Sequence, residues 1–441
     1  MFKTSLILRG LNFITVYFRI SQKNLYALIL DVSSTLPSSE INRGIRNILV
    51  YVHQLMVVPT LNFRYTTYLF IGILFTRYML ETLIDGPKAL ERAIAGEELS
   101  YNDGIELMEY DNLHVFGAVA DMCRQKLVGD QITFTSSSYL NYTNVCAASC
   151  QICAFYRKEG DDDSYTLTPE QIEKRALAAK NMGATEVHIV GGFHPKLSLD
   201  YYESMMKIIK KNHPELKIKA FTAAEIFYFA RLTKNSIKEV LTRLKNAGLD
   251  SLPGGGAELF HPEIRPKIAR GKCSGQEWLD TMEEAHNLGI KSNATMLYGH
   301  IEKPEHIVDH LIKIRELQKK TSGFITLIPL KFSLENTELE QKNQLTQECS
   351  SIYDLKIIAL SRLMLANVLN NISVYWVADG KKLAQVALVN GGNDLVGTAF
   401  SEEVYRAAGK ITNSSLMDLS LIHISEPTRR YAISYAVFCL K

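Results

Sequence analysis

Over residues 131–410 the chain alternates two hydrophobic patterns. Short β-branched or apolar runs, "ITFTSSSYLNYTNV", "EVHIVGG", "LKIKAFTA", "LDSLPGGG", "IKSNATMLYG", "GFITLIPL", "ISVYWV" and "DLVGTAF", read as strands. The stretches between them, among them "TPEQIEKRALAAKNMG", "DYYESMMKIIKKNHP", "SIKEVLTRLKNAG" and "SGQEWLDTMEEAHNLG", place apolar residues three and four apart, as helices with one buried face do. Thr168 followed by Pro169 marks a helix start, and Gly183, Gly248 and Gly289 stand where helices stop. Strands joined by crossover helices pair in parallel. Eight such units in about 280 residues predict an α/β fold, a closed (β/α)8 TIM-type barrel, with an open doubly wound sheet as the alternative. In a barrel, the loops after the strands face the active site, which selects residues 146–153, 191–195, 222–225, 254–258 and 298–302 together with Lys331.

The ends follow neither pattern. Residues 1–78 are rich in Tyr, Phe, Ile and Leu without a sustained period, and the uncharged run between Arg64 and Arg77, about 12 residues, is shorter than the ~20 a spanning helix needs. They are expected to be an extension foreign to the native protein, with Met79 as its natural start. Residues 79–130 read as a helical N-terminal segment and 131–410 as the barrel. The tail over 411–441 includes "HISEPTRRYAISYAVFCLK", which resembles a translated sequencing-adapter read-through, so a lost native end is expected there.

Composition adds limits. Of 441 residues, 46% are hydrophobic and 22% charged, the proportions of a globular enzyme. A formal charge of +2 provides no basic field for nucleic acid. Seven cysteines, an odd number, argue against a disulfide framework and for a reducing, cytoplasmic setting without a membrane anchor.

Three of the seven crowd into "NVCAASCQICAFYR": Cys146, Cys150 and Cys153. A structural zinc wants four ligands, usually in two pairs, and the fourth is missing locally; His188 and Cys273 belong to other barrel units. Three thiolates suit a 4Fe-4S cluster with one iron left open to a substrate or cofactor. A cluster-carrying electron-transfer module is the reading outside enzymology, but such a carrier needs neither the open iron nor a large barrel with glycine-rich loops.

The spacing CxxxCxxC after the first strand resembles the radical S-adenosylmethionine (SAM) superfamily. The resemblance implies that the open iron chelates SAM and that electron transfer yields a 5′-deoxyadenosyl radical, the electron coming from an unidentified one-electron donor. It implies that Gly191 and Gly192 of "VGGFHP" meet the SAM amino group and that Glu225 of "KAFTAAEI" bonds a ribose hydroxyl, with helix capping as the alternative role for Glu225. Gly254 and Gly255, in the triple glycine of "SLPGGGAELF", suit close backbone approach to the cofactor. Glu258, His194, Arg265, Tyr298 and His300 are the candidate catalytic groups: histidine moves protons near neutral pH, and Arg265, His194, His300 and Lys331 could meet carboxylates.

Within the superfamily, "TEVHIVGGFHP", "IKAFTAAEI", "LDSLPGGGAELF", "SNATMLYGHIEKPEHIVDHL" and "GGNDLVGTAF" resemble the aminofutalosine synthase family of menaquinone biosynthesis over about residues 85–410. That family adds the adenosyl radical to 3-[(1-carboxyvinyl)oxy]benzoate, an enol ether, and forms 6-amino-6-deoxyfutalosine. Cyclic dehypoxanthine futalosine synthases and the deazaflavin-forming enzymes of the F420 pathway share the cluster motif, but carry Gln before the Gly-Gly pair where this chain has Val190. Lys331 and Ser333 in "IPLKFSLENT" depart from the family's "IPLAFHPENT".

Overall fold

Alternation along the barrel strands decides which side chains face inward. Leu140, Ile189 and Ala220 are at most 2% exposed and pack outward under the helices, while Tyr139, His188 and Lys219, one residue before each, line the interior. The computed structural model describes residues 2–6, 14–20, 25–32, 86–397, 401–409 and 430–433. It divides into two units, residues 1–95 and 96–441. In the first, β1 (Phe2–Leu6), β2 (Ile14–Ile20) and β3 (Leu25–Val32) form an antiparallel meander, and a helix spans Lys88–Ala95. The expected foreign ends, 1–78 and 411–441, otherwise lie outside the described residues, apart from β11 (Arg430–Ile433).

In the second unit, helices Tyr101–Glu109 and Leu113–Val128 lead to β4 (Gln131–Phe134). Then β5 (Ser137–Asn141), β6 (Glu186–Val190), β7 (Lys217–Ala220), β8 (Ser251–Leu252), β9 (Lys291–Tyr298) and β10 (Phe324–Lys331) pair in sequence order, all parallel. The sheet curls as a half-barrel. Among the described residues, the expected strand "ISVYWV" and the part of "DLVGTAF" up to Gly397 form isolated parallel bridges, Leu327 to Ile372 and Ser373 to Asp394, and a third bridge, Thr133 to Asp394, carries the curve to β4. The reason is local. Asn371 Nδ2 donates to Ile325 O, Ile372 N–H donates to Asn393 Oδ1, and Asn393 Nδ2 donates to Asn371 Oδ1, so side-chain amides take ladder positions.

The expected helix punctuation is present. Thr168 caps Pro169–Asn181 in a capping box with Gln171, and Gly183, Gly248 and Gly289 all take positive φ just past helix ends. The helix Ala223–Thr233 starts immediately after β7, capped by Thr222, so Glu225 lies in its first turn and not on the strand.

The last wall of the barrel depends on one buried cation. Arg362, 0% exposed, donates to Gly391 O (2.8 Å), Asn370 O (2.8 Å) and Asn393 Oδ1 (2.6 Å), fixing both bridge segments to the helix Ser351–Met364. Its replacement by Met removes three hydrogen bonds, each with a net worth of ~1 kcal/mol, although Asn393 Oδ1 keeps the Ile372 N–H. Arg362→Met is expected to lower unfolding free energy by about 3 kcal/mol, read from chemical denaturation of the intact protein.

Candidate functional site

The cysteine loop begins where β5 ends and is packed without spare room. Gly192 N–H donates to Thr143 O (2.9 Å), Ala147 N–H to Phe193 O (3.0 Å) and Cys146 N–H to Arg157 O (3.0 Å). A Cβ at Gly192 would overlap the Val145 carbonyl, and one at Gly271 would overlap the carbonyl of Ala148. Both glycines are therefore required by close backbone approach. Cys146, Cys150 and Cys153 are free thiols that line a cavity of about 340 Å³ inside the half-barrel.

The donor set fits a metal cluster. Burial pushes the Cys150 thiol up to about 12 and raises Cys153, with the Lys272 ammonium opposing both shifts. Such thiols ionise only against further positive charge, which ligated iron supplies.

Gly191, Gly192, Glu225, Gly254, Gly255 and Glu258 line the same cavity. Glu225 joins three loops. Its Oε1 accepts from Tyr142 O–H (2.9 Å) and Gly191 N–H (3.1 Å), its Oε2 from Thr222 N–H (2.8 Å), and Thr222 Oγ1 accepts from Glu225 N–H (3.1 Å). The capping box anticipated as its alternative role is thus formed, and the same carboxylate also holds the Gly-Gly loop and the residue leading to the cysteines. Tyr142 is wholly buried in an aromatic block with Tyr202 and Phe221, and a Cβ on Gly191 would come within 2.6 Å of its ring. Gly254 meets the β9 backbone so closely that a Cβ would lie 2.6 Å from Ala294 C.

Four of the five candidate catalytic groups stand off the cavity wall. Arg265 is 4% exposed, and its guanidinium donates to Cys273 O (2.6 Å), Gly256 O (2.9 Å) and the Ala257 carbonyl, stapling the triple-glycine loop. That leaves it committed to backbone. Tyr298, 1% exposed, packs behind the wall near Tyr353. His194 Nδ1 accepts from Lys196 N–H (3.1 Å). His300 Nδ1 accepts from Ile301 N–H (2.7 Å), its buried Nε2 has no hydrogen-bond partner, and burial lowers its pKa. Glu258 alone of the five lines the cavity, paired to Lys272 at 2.5 Å; although burial acts the other way, Lys272 holds its carboxyl below the usual value.

Several cavity residues carry no local signal in the sequence. Tyr139, His188 and Lys219 are direct neighbours across β5, β6 and β7; the first two rings stack at 4.4 Å, and Lys219 Nζ donates to Glu186 Oε1 (2.9 Å). Their inward position follows from strand alternation once the register is known. Lys272 is found only through the packing of Gly271 on Ala148. Glu402 and Tyr405 come from the far end of the chain; Tyr405 O–H donates to Lys331 O (2.9 Å), and Lys331 Nζ donates to Asp354 (2.8 Å).

Away from the cavity, His261, Glu263 and His306 bring ligand-type atoms within 4.8 Å of one another. His261 Nδ1 accepts from Glu263 N–H (3.3 Å), His306 Nδ1 accepts from Lys303 N–H (3.0 Å), and His306 Nε2 lies 3.8 Å from Glu263 Oε2. Among the described residues no helix is long and apolar enough to cross a membrane.

A curled parallel sheet with three free thiols after its first inward strand defines a radical SAM enzyme, and the comparisons agree. Residues 140–314 match the radical SAM superfamily, and residues 321–419 match the CofH/MqnC C-terminal region. Methylornithine synthase shares the fold at a TM-score of 0.62 with 17% identity, over 80% of this chain and 100% of that one. The FeFe-hydrogenase maturase HydG of Carboxydothermus hydrogenoformans does so at 0.64 with 16% identity, over 90% and 86%. The chain belongs to the radical SAM superfamily, whose members use a 4Fe-4S cluster and SAM. More narrowly, it belongs with the aminodeoxyfutalosine synthases and their relatives. It is 39% identical over 345 residues to the aminodeoxyfutalosine synthase of Streptomyces coelicolor, covering 75% of this chain and 89% of that one. It is 38% identical over 305 residues to the 5-amino-6-(D-ribitylamino)uracil–L-tyrosine 4-hydroxyphenyl transferase of Methanopyrus kandleri, covering 69% and 83%. The protein is an enzyme of the transferase type.

The Glu225 clamp makes opposed pH predictions for function and stability. All the groups it faces are donors, so the clamp needs the carboxylate; burial nevertheless raises its pKa from 4.5 to about 6, with the hydrogen bonds offsetting part of the rise. SAM affinity of the reconstituted protein, measured by calorimetry, is expected to fall as pH drops below about 6, and Glu225→Gln to abolish that limb. A raised folded-state pKa contributes stability that is full below 4.5 and lost as pH rises through about 6. The unfolding free energy of Glu225→Gln relative to the native protein should therefore improve by about 2 kcal/mol across that window.

Proposed function

We propose that this enzyme transfers the 5′-deoxyadenosyl group of SAM to 3-[(1-carboxyvinyl)oxy]benzoate, with aryl migration and loss of a carboxyl group, to give 6-amino-6-deoxyfutalosine on the route to menaquinone. The observation that carries this reading is the 39% identity to an aminodeoxyfutalosine synthase across 89% of that protein. The site adds support. Val190, immediately before the Gly-Gly pair, lines the cavity with Ile152, Ile328 and Leu330, giving an aryl ring apolar contact near the cysteines.

Cys146, Cys150 and Cys153 would hold the 4Fe-4S cluster, which when bound would supply the single electron needed to cleave SAM. The remaining work falls to the chain's own groups. Gly191 and Gly192 spend their N–H groups on Glu225 and Thr143. What the pair offers an ammonium such as that of SAM is carbonyl oxygen, kept in place by the Glu225 clamp. The aliphatic wall keeps water and stray hydrogen donors from a radical, and holding both reactants in one enclosed cavity replaces an encounter in solution. The electron comes from a separate one-electron donor.

A second reading is 4-hydroxyphenyl transfer from tyrosine to a ribitylaminouracil, the activity that names the Methanopyrus kandleri relative. Asp394 and Glu402 line the cavity, and carboxylates suit the ammonium of an amino acid.

One experiment separates the two. Anaerobically reconstituted enzyme with reductant and SAM is offered the enol-ether benzoate or, in parallel, tyrosine with the ribitylaminouracil, and products are read by mass spectrometry. Aminodeoxyfutalosine from the first mixture alone is the expected result. 5′-Deoxyadenosine without an adduct in that mixture, or an adduct only in the second, would overturn the main reading.

A further inference from the structure

Of the ammonium groups that line the cavity with the three cluster thiols, Lys272 is the one whose charge acts on Cys150 and Cys153, and nothing in the linear motif marks it. Lys272 is placed there by two contacts. Gly271 presses against the Ala148 backbone, inside the cysteine loop, at a separation only glycine permits. Lys272 Nζ then donates to Glu258 Oε1 at 2.5 Å, and both side chains line the cavity with Cys150 and Cys153.

Glu258 is fixed with equal care. It takes φ +48, the left-handed region that non-glycine residues seldom occupy, and its carbonyl accepts from Leu297 N–H (3.0 Å) on β9. The side chains of Lys272 and Glu258 are 20% and 11% exposed, so their charges act across protein more than across water.

A cluster held by three thiolates is anionic, and reduction adds a further negative charge. A fixed ammonium nearby stabilises the reduced form more than the oxidised form, and a carboxylate does the reverse. We propose that Lys272 and Glu258 form an opposed charge pair that sets the reduction potential of the cluster on Cys146, Cys150 and Cys153, Lys272 raising it and Glu258 lowering it. Lys272 acts through the cluster and does not touch substrate. The inference therefore holds for either substrate reading given above.

The test uses the full chain, anaerobically reconstituted, without SAM, with midpoint potential read by dithionite titration followed by electron paramagnetic resonance. Lys272→Met is expected to move the potential to more negative values, and Lys272→Arg to return it toward that of the native protein. Glu258→Gln is expected to move it in the opposite direction, to more positive values. Iron content is measured alongside; should Lys272→Met fail to retain a cluster, the sign of the Glu258→Gln shift still decides. Unchanged potentials, or shifts of the same sign in both variants, would overturn the proposal. So would weakened SAM binding at unchanged potential in Lys272→Met, which would assign the ammonium to the SAM carboxylate.

Discussion

The cysteine loop is held between two backbones that leave no space for a side chain. Gly192 presses on the carbonyl of Val145 and Gly271 on that of Ala148, one on each side of Cys146. These contacts fix where the thiols sit, and much of the site is arranged to maintain them. The Glu225 carboxylate draws the Gly-Gly loop and Tyr142 together from one flank. On the other flank Arg265 gathers the carbonyls of the triple-glycine loop, which sets the backbone from which Glu258 reaches Lys272.

How much of this the sequence disclosed depends on whether a feature is local. Cysteine spacing, glycine runs and helix caps are carried by neighbours in the chain, and the cluster loop, the Gly-Gly turn and the capping boxes were legible from them. Arg265 and His300 were less so, because charge and loop position do not say which way a side chain points. The structure turns the first onto backbone carbonyls and encloses the second beside Phe332. Lys272 lay beyond reach for a different reason: its place follows from a contact between segments more than a hundred residues apart. Among the described residues, the last two expected strands form only isolated bridges, and the amides of Asn371 and Asn393 take ladder positions there, an exchange no hydrophobic pattern records.

The cavity is also notable for how its charges are balanced. Lys219 is matched by Glu186, Lys272 by Glu258 and Lys331 by Asp354. Burying such pairs costs solvation that their attraction only partly restores, so they are weak evidence of stability. They do give the interior fixed dipoles of defined direction, which an anionic cluster and a cationic sulfonium both sense.

The cavity wall has two origins along the chain. Residues that hold the thiols and the glycine loops fall within 140–314, whereas Tyr375, Glu402 and Tyr405 fall within 321–419, and the two stretches answer to different family descriptions. The junction runs through the sheet itself, where β10 pairs with β9 from Phe324 opposite Ser292 to Lys331 opposite Tyr298, and Tyr165 O–H adds a bond to Glu403 (2.6 Å). One enclosed space is thereby written in two passages of one gene, so a substitution in either passage reshapes the same wall.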